Sequence, residues 1–316
     1  MKIPIRNLYY LFCYAWERYP RAEDQDLGFD AAPSVQDLLA RLFIDGINRL
    51  FRRGLDRSYL DYVEETRAPR GKILIDEVIK AQTLRRGAVI CAYDELSVDV
   101  LHNQILKATA RILSRMNLMS PNHAREVGTI AQRMRGVSDI RLDSQMFGRI
   151  QLGRNNRHYK PLLRLCEFIF RSQIPDQAGS GIQFADILED ETLMSAVFEE
   201  FLRNFYIYEQ SAYRVAREMM AWDAEALIEG SHGVLPMMET DITMRSRERT
   251  IVMDAKYYKE MLVSRTGASK VRSGHLYQLF AYLEHAGFRS GGLPCDGALI
   301  YPAVGDVREL RYRLKG

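Results

Sequence analysis

The 316-residue chain is long enough for two domains or one large one. Its 47% hydrophobic and 27% charged residues exclude a globally disordered chain, and a net charge of +3 permits nucleic-acid binding only through a local basic patch. No run approaches the ~20 apolar residues of a membrane helix, and Cys13, Cys91, Cys166 and Cys295 are too scattered for a zinc knuckle, a redox pair or a disulfide framework, so a reducing cytoplasm is expected.

Residues 8–16 form an aromatic-rich segment of helical or extended character. Lys2 and Arg6 precede it, but the apolar patch is short and lacks the small-residue cleavage site of a signal peptide. Apolar residues at helical spacing, Leu38, Leu39, Leu42, Phe43, Ile47 and Leu50, predict a helix over 35–51 that stops at Arg52-Arg53-Gly54. Between 58 and 95, YLDYVEE, PRGKILID and GAVICAYDE read as strands around turns. Helices are expected over 101–116, near 122–134 and over 159–171, and IPDQAGSG is a loop.

The pattern then changes. A helix over 194–208 carries Met194, Val197, Phe198, Phe201, Leu202 and Phe205 on one side. A strand over 213–217, a glycine-containing loop at 229–233 and a hairpin over 238–258 follow. A helix over 271–286, a strand over 297–301 and a last strand over 309–314 complete the chain. This is an α/β (α+β) protein: an N-terminal mixed helix/strand domain, 1–157, and a second domain, 158–316, whose mixed sheet is flanked by helices. The boundary is expected near 153–158, and there is no internal repeat or low-complexity tract.

The hairpin METDITMRSRERTIVMDAKYY raises a chemical question, because its apolar strands carry charge, and buried charge is costly unless paired or bound to metal. With the turn centred between Arg247 and Glu248, paired residue numbers add to 495, which sets Asp241 opposite Asp254. Lys256 then points to the same side as Asp254, and Glu239 joins them. Two bare carboxylates ~5 Å apart repel by roughly 3 kcal/mol at an effective dielectric of 20. A retained proton, Lys256 or a divalent cation between the oxygens could compensate. Mg²⁺ suits the last choice, with Mn²⁺ as the alternative and the Ala255 carbonyl as a further ligand. Such an ion polarises a phosphoryl oxygen and acidifies a bound water, while Lys256 orients that water or stabilises charge on the phosphate. A salt-bridged acidic pair on a half-exposed sheet would carry the same residues. On the next helix, Gln278 and Tyr282 share a face at i,i+4, either reaching the site or forming a polar edge beside a Leu276/Leu279/Leu283 stripe.

The hairpin with HLYQLFAYL and GALIYP, the opening IPIRNLYYLFCYAW, and the segments YDELSVDVLHNQILKATARIL and NNRHYKPLLRLCEFIF together closely resemble the McrC family of McrBC-type, 5-methylcytosine-dependent restriction systems. The resemblance implies a PD-(D/E)XK nuclease fold with a core at about 190–303. Asp241 and Asp254 would be the metal-binding acids, Lys256 the catalytic lysine, and Gln278 and Tyr282 a QxxxY motif. A helix glutamate is also implied, Glu199 or its rival Glu200, between which helical geometry does not choose. The motif's proline is absent, since Thr240 precedes Asp241. Relatives commonly continue beyond RYRLKG.

The implied activity is that of a Mg²⁺-dependent endodeoxyribonuclease. It works with a McrB-like AAA+ GTPase ring, whose hydrolysis it stimulates, on double-stranded DNA whose modified cytosine the ring recognises. The chain has no P-loop of its own. The N-terminal domain would contact the ring, with Arg52-Arg53, Arg70-Gly71-Lys72 and Arg85-Arg86 as candidates by charge alone, and a homodimer through the nuclease domain is allowed. Alternatives are a non-cleaving activator or scaffold of the motor, and a stand-alone nuclease of another defence or repair system. Arg245, Arg247, Arg249, Lys256, Lys259, Arg265, Lys270 and Arg272 form the candidate phosphate-binding patch.

Overall fold

The computed structural model describes residues 3–17, 34–116, 120–175, 182–184, 187–225, 227, 234–258, 262–264, 269–289, 293–303 and 307–313. The chain divides into two compact units, Ser34–Arg171 and Met1–Pro33 together with Ser172–Gly316. The first helix, α1 (Ile5–Ala15), therefore belongs with the C-terminal half.

In the unit Ser34–Arg171, α2 (Val35–Arg53) buries the apolar residues that its periodicity singles out. Ser34 caps it by accepting from the Asp37 N–H, and Gly54 ends it at φ 88°, a conformation that a side chain disfavours. Strand β1 (Ser58–Thr66) leads to β2 (Lys72–Ile73), helix α3 (Ile75–Ala81) and β3 (Val89–Ser97), and the sheet order is β1-β3-β2. PRGKILID was expected as one strand, yet only Lys72 and Ile73 extend. Asp76 and Glu77 lie in the first turn of α3, where the positive end of the helix dipole favours them. Arg70 and Arg86 pair with Glu64 and Glu65. Helices α4 (Leu101–Ser114), α5 (Pro121–Arg133), α6 (Ser144–Gly148) and α7 (Lys160–Arg171) complete the unit. α7 packs its buried Leu162, Leu163, Leu165, Cys166, Phe168 and Ile169 with α2 and α4. That packing carries the unit to Arg171, where the sequence pattern suggested an end near 157.

The other unit holds short strands β4 (Gln173–Pro175) and β5 (Ile182–Phe184), helix α8 (Glu191–Glu209) and strands β6 (Arg214–Ala216), β7 (Met219–Met220), β8 (Met238–Glu239), β9 (Ile242–Arg245) and β10 (Thr250–Ala255). The hairpin β11 (Leu262–Ser264) and β12 (Ser269–Val271), helix α9 (Ser273–Arg289) and β13 (Cys295–Ile300) follow. The main sheet runs β13-β10-β9-β6, with β10 parallel to β13 and antiparallel to β9, so it is mixed. Helix α1 lies along α8: the Asn204 amide donates to the carbonyls of Tyr14 (2.9 Å) and Ala15 (3.3 Å), and the Tyr14 ring meets Phe201, Phe205 and Tyr208.

Alternation along β10 assigns its faces. Val252 joins Leu279, Tyr282 and Ala286 of α9 in one core. On the chain just beyond β10, Tyr257 meets Phe198 of α8, and its hydroxyl donates to the Leu188 carbonyl. Gly297 lets α9 approach β13 closely, because a Cβ there would lie 2.7 Å from Leu283 Cδ1. α9 thus buries Leu279, Tyr282 and Ala286 with Leu283 packed beside them, and of the expected 276/279/283 stripe only Leu276, 45% exposed, turns away. The strand expected over 309–314 does not form across its described residues, 309–313. Glu309, Arg311 and Arg313 alternate with Leu310 and Tyr312, as a half-buried strand would require, but both apolar residues stay exposed, so alternation alone does not make a strand there. The loop expected at 229–233 lies outside the described residues. Among those described, no helix is long and apolar enough to cross a membrane.

Candidate active site

β9 and β10 pair as Arg245↔Thr250, Met244↔Ile251, Thr243↔Val252 and Ile242↔Met253, so every pair adds to 495, the register that the turn implies. Ser246 closes the turn: its N–H donates to the Arg249 carbonyl, and its hydroxyl accepts from the N–H groups of Glu248 and Arg249. One step beyond the ladder the pairing gives way. The Asp241 carboxylate accepts the Ala255 N–H at 2.8 Å in place of a backbone bond. Thr240 anchors this corner, bonding the backbone of Glu218 and the hydroxyl of Thr243.

Asp254 is sealed from solvent. Its Oδ2 forms an ion pair with Lys256 Nζ at 2.7 Å, and its Oδ1 has no hydrogen-bond partner among the described residues. Burial pushes this carboxyl up to about 6. Lys256 opposes the rise and the charge of Asp241 adds to it.

Lys256 is fixed by a relay of donors. Its ammonium donates to Gln278 Oε1 (3.0 Å), Gln278 Nε2 donates to Tyr282 Oη (2.8 Å), and the Tyr282 hydroxyl donates to the Glu239 carbonyl (2.8 Å). Lysine can only donate, so the Gln278 carbonyl must face it, and the rest of the chain follows. Gln278 and Tyr282 thus stand beside the two aspartates. Burial raises the Tyr282 phenol, which stays neutral.

Glu199 and Glu200 separate here. Glu199 lies at the site's edge, its Oε2 2.9 Å from Arg217 Nη2, and burial followed by the Asp241 charge lifts its carboxyl to about 7. Glu200 pairs instead with Arg203 at 2.5 Å. Glu239 does not join Asp254 and Lys256 through its side chain, which approaches Arg217 at 3.5 Å.

The basic patch is thinner than its sequence suggests. Arg245 forms a bidentate pair with Glu218 (2.8 Å for both bonds), and Arg249 approaches Asp296 at 3.3 Å. Arg247, Lys270 and Arg272 are exposed, and Lys259 and Arg265 lie outside the described residues. Residues not singled out in advance also border the site: Arg203 donates to the Asp241 carbonyl (3.2 Å), and His275 Nδ1 shares a 2.8 Å hydrogen bond with Tyr301, whose phenol burial and Asp254 push up to about 12. No local pattern announces them, since each is brought in by a neighbouring element.

Two carboxylates, one with an unsatisfied buried oxygen, form an all-oxygen donor set that fits a hard divalent cation. The Ala255 N–H is directed at Asp241, and within a strand the carbonyl of the same residue projects to the same edge, where it could serve as a third ligand. Among the described residues, no three His, Cys, Asp or Glu side chains converge on one point.

The family model described as McrBC 5-methylcytosine restriction system component matches residues 5–302. The chain is 33% identical over 314 residues to the Type IV methyl-directed restriction enzyme EcoKMcrBC of Escherichia coli K12, covering 99% of this chain and 90% of that protein. Its fold resembles a chain of a Thermococcus gammatolerans assembly of McrB AAA+ hexamers with bound McrC: TM-score 0.53 at 20% identity, over 89% of this chain and 61% of that one. A cryo-EM structure of the T. gammatolerans McrBC complex gives a TM-score of 0.47 at 21% identity, over 67% of this chain and 60% of that one. With the family matched over nearly its whole length, the chain belongs to the McrBC 5-methylcytosine restriction system component family.

Proposed function

We propose that this chain is the McrC-type nuclease subunit of its restriction system, hydrolysing DNA phosphodiesters with a divalent cation held by Asp241 and Asp254. One observation carries the reading: a fully buried aspartate, one oxygen of which has no partner among the described residues, neighbour to a second aspartate and paired at 2.7 Å with a lysine that a glutamine holds in place. A hydrophobic strand sustains that charge only if something compensates it. Mg²⁺ fits the donor set, and when bound it would polarise a phosphoryl oxygen and acidify a water. Lys256, tethered by Gln278, presents its ammonium where negative charge grows on the phosphate. Tyr282 sets the orientation of Gln278 and, through it, of the lysine.

The partner we infer is an AAA+ GTPase ring of the McrB type, which would read the modified cytosine while this chain cuts. The residues singled out at the site provide cleavage chemistry rather than base recognition. The complex would work in the cytoplasm, where its DNA resides.

The test is cleavage of methylated plasmid by the chain with its ring partner, GTP and Mg²⁺. Asp254→Ala should abolish cutting while leaving stimulation of the ring's GTP hydrolysis unchanged. Cutting retained by that variant would overturn the site. A wild-type complex that hydrolyses GTP but leaves DNA intact would favour a scaffold, and cleavage that ignores the ring would favour a stand-alone nuclease.

A further inference from the structure

Arg217 occupies a distinctive position beside the two aspartates. Its Nη2 lies 2.9 Å from Glu199 on α8, and its Nη1 lies 3.5 Å from Glu239 on β8, two residues before Asp241. Arg203, four residues after Glu199 and therefore on the same helix face, donates to the Asp241 carbonyl. That face of α8 thus looks towards Asp241, and the Arg217 guanidinium sits between the two acids flanking it. Yet Glu199 does not converge with Asp241 and Asp254 on a common point. Its carboxylate is directed at the guanidinium instead.

We propose that Arg217 is a positioning residue that holds Glu199 away from the Asp241–Asp254 pair and so limits the site to a single divalent ion. The inference rests on the reading that the two aspartates bind such an ion. A second ion would need Glu199 as a ligand beside Asp241, and it would enter against the fixed positive charge of Arg217. For a guanidinium partly open to solvent, that repulsion weakens a neighbouring ion on the order of tenfold or more. The charge that a second cation would contribute in a carboxylate cluster is here supplied covalently by the chain.

The experiment is Mn²⁺ binding to the full chain without DNA, with free Mn²⁺ counted by electron paramagnetic resonance. Wild type should bind one ion that Asp254→Asn removes. Arg217→Ala should bind a second, and Arg217→Lys, which restores the charge, should return the count to one. Arg217→Gln serves as a second neutral variant if the alanine variant does not melt cooperatively. A single ion of unchanged affinity in the neutral variants would overturn the inference while leaving the metal site standing. Two ions in wild type would also overturn it. No ion removable by Asp254→Asn would defeat the metal reading itself, and this inference with it.

Discussion

Asp254 and Lys256 stand 2.7 Å apart, and the aspartate is sealed from water while the lysine is tied to Gln278. Even with a cation this close, burial and Asp241 keep the Asp254 carboxyl at about 6, above its ordinary value of 3.8. The fold therefore resists the very charge on which the proposed chemistry depends.

That conflict has a pH signature. Between about pH 4 and 6 the folded state binds more protons at Asp254 than the unfolded chain does, so stability from this group is present at low pH and lost as pH rises through 6. Without metal at pH 8, Asp254→Asn should be more stable than wild type by up to about 3 kcal/mol, from roughly two pKa units. The gain should shrink towards pH 4. Melting temperatures of both proteins across that range check it, and a constant difference would refute the cause.

A divalent ion should relieve the same conflict. Mg²⁺ or Ca²⁺ at ten times its Kd should stabilise wild type at pH 8 by about 1.4 kcal/mol and so raise its melting temperature. Asp254→Asn should show no such rise. In wild type the rise should fade below pH 6, because protons then compete for the Asp254 oxygens.

Removing the lysine's tether should harm catalysis more than ion binding. Gln278→Ala should lower cleavage by roughly ten- to a hundredfold, while the ion-induced rise in melting temperature persists. Tyr282→Phe, which keeps the ring but loses the contacts to Gln278 Nε2 and the Glu239 carbonyl, should have a smaller effect. Single-turnover cleavage measured beside thermal melts separates the two readouts.

The discontinuous unit makes a prediction about folding. Asn204 is buried and its amide donates to two α1 carbonyls, so Asn204→Ala should cost about 1–3 kcal/mol. A fragment starting at residue 172 would uncover the aromatic side of α8 that meets Tyr14. It should melt lower than the same fragment supplied with residues 1–33. Equal melting temperatures would show that α1 contributes nothing there.

Local physics was legible in the chain before any coordinates. A polar turn set the β9–β10 register, because pairing in a tight hairpin depends on neighbours in sequence, but the expected Asp241–Asp254 pair falls one step past the ladder, where the Asp241 carboxylate takes the Ala255 N–H instead. The spacing of Gln278 and Tyr282 likewise placed both on one helix face. The Lys72-Ile73-Leu74-Ile75 run misled because a short apolar stretch suits strand and helix alike.

Sequence alone singled out the residues proposed for the chemistry and showed which of them share a hairpin or a helix turn. Tertiary structure alone decided that Glu199 rather than Glu200 meets Arg217, that α9 turns Leu276 outward, and that α1 joins α8 some 190 residues away. Each of those choices depends on which surface of another element lies opposite, and such long-range packing leaves no periodic mark on the segment that takes part in it.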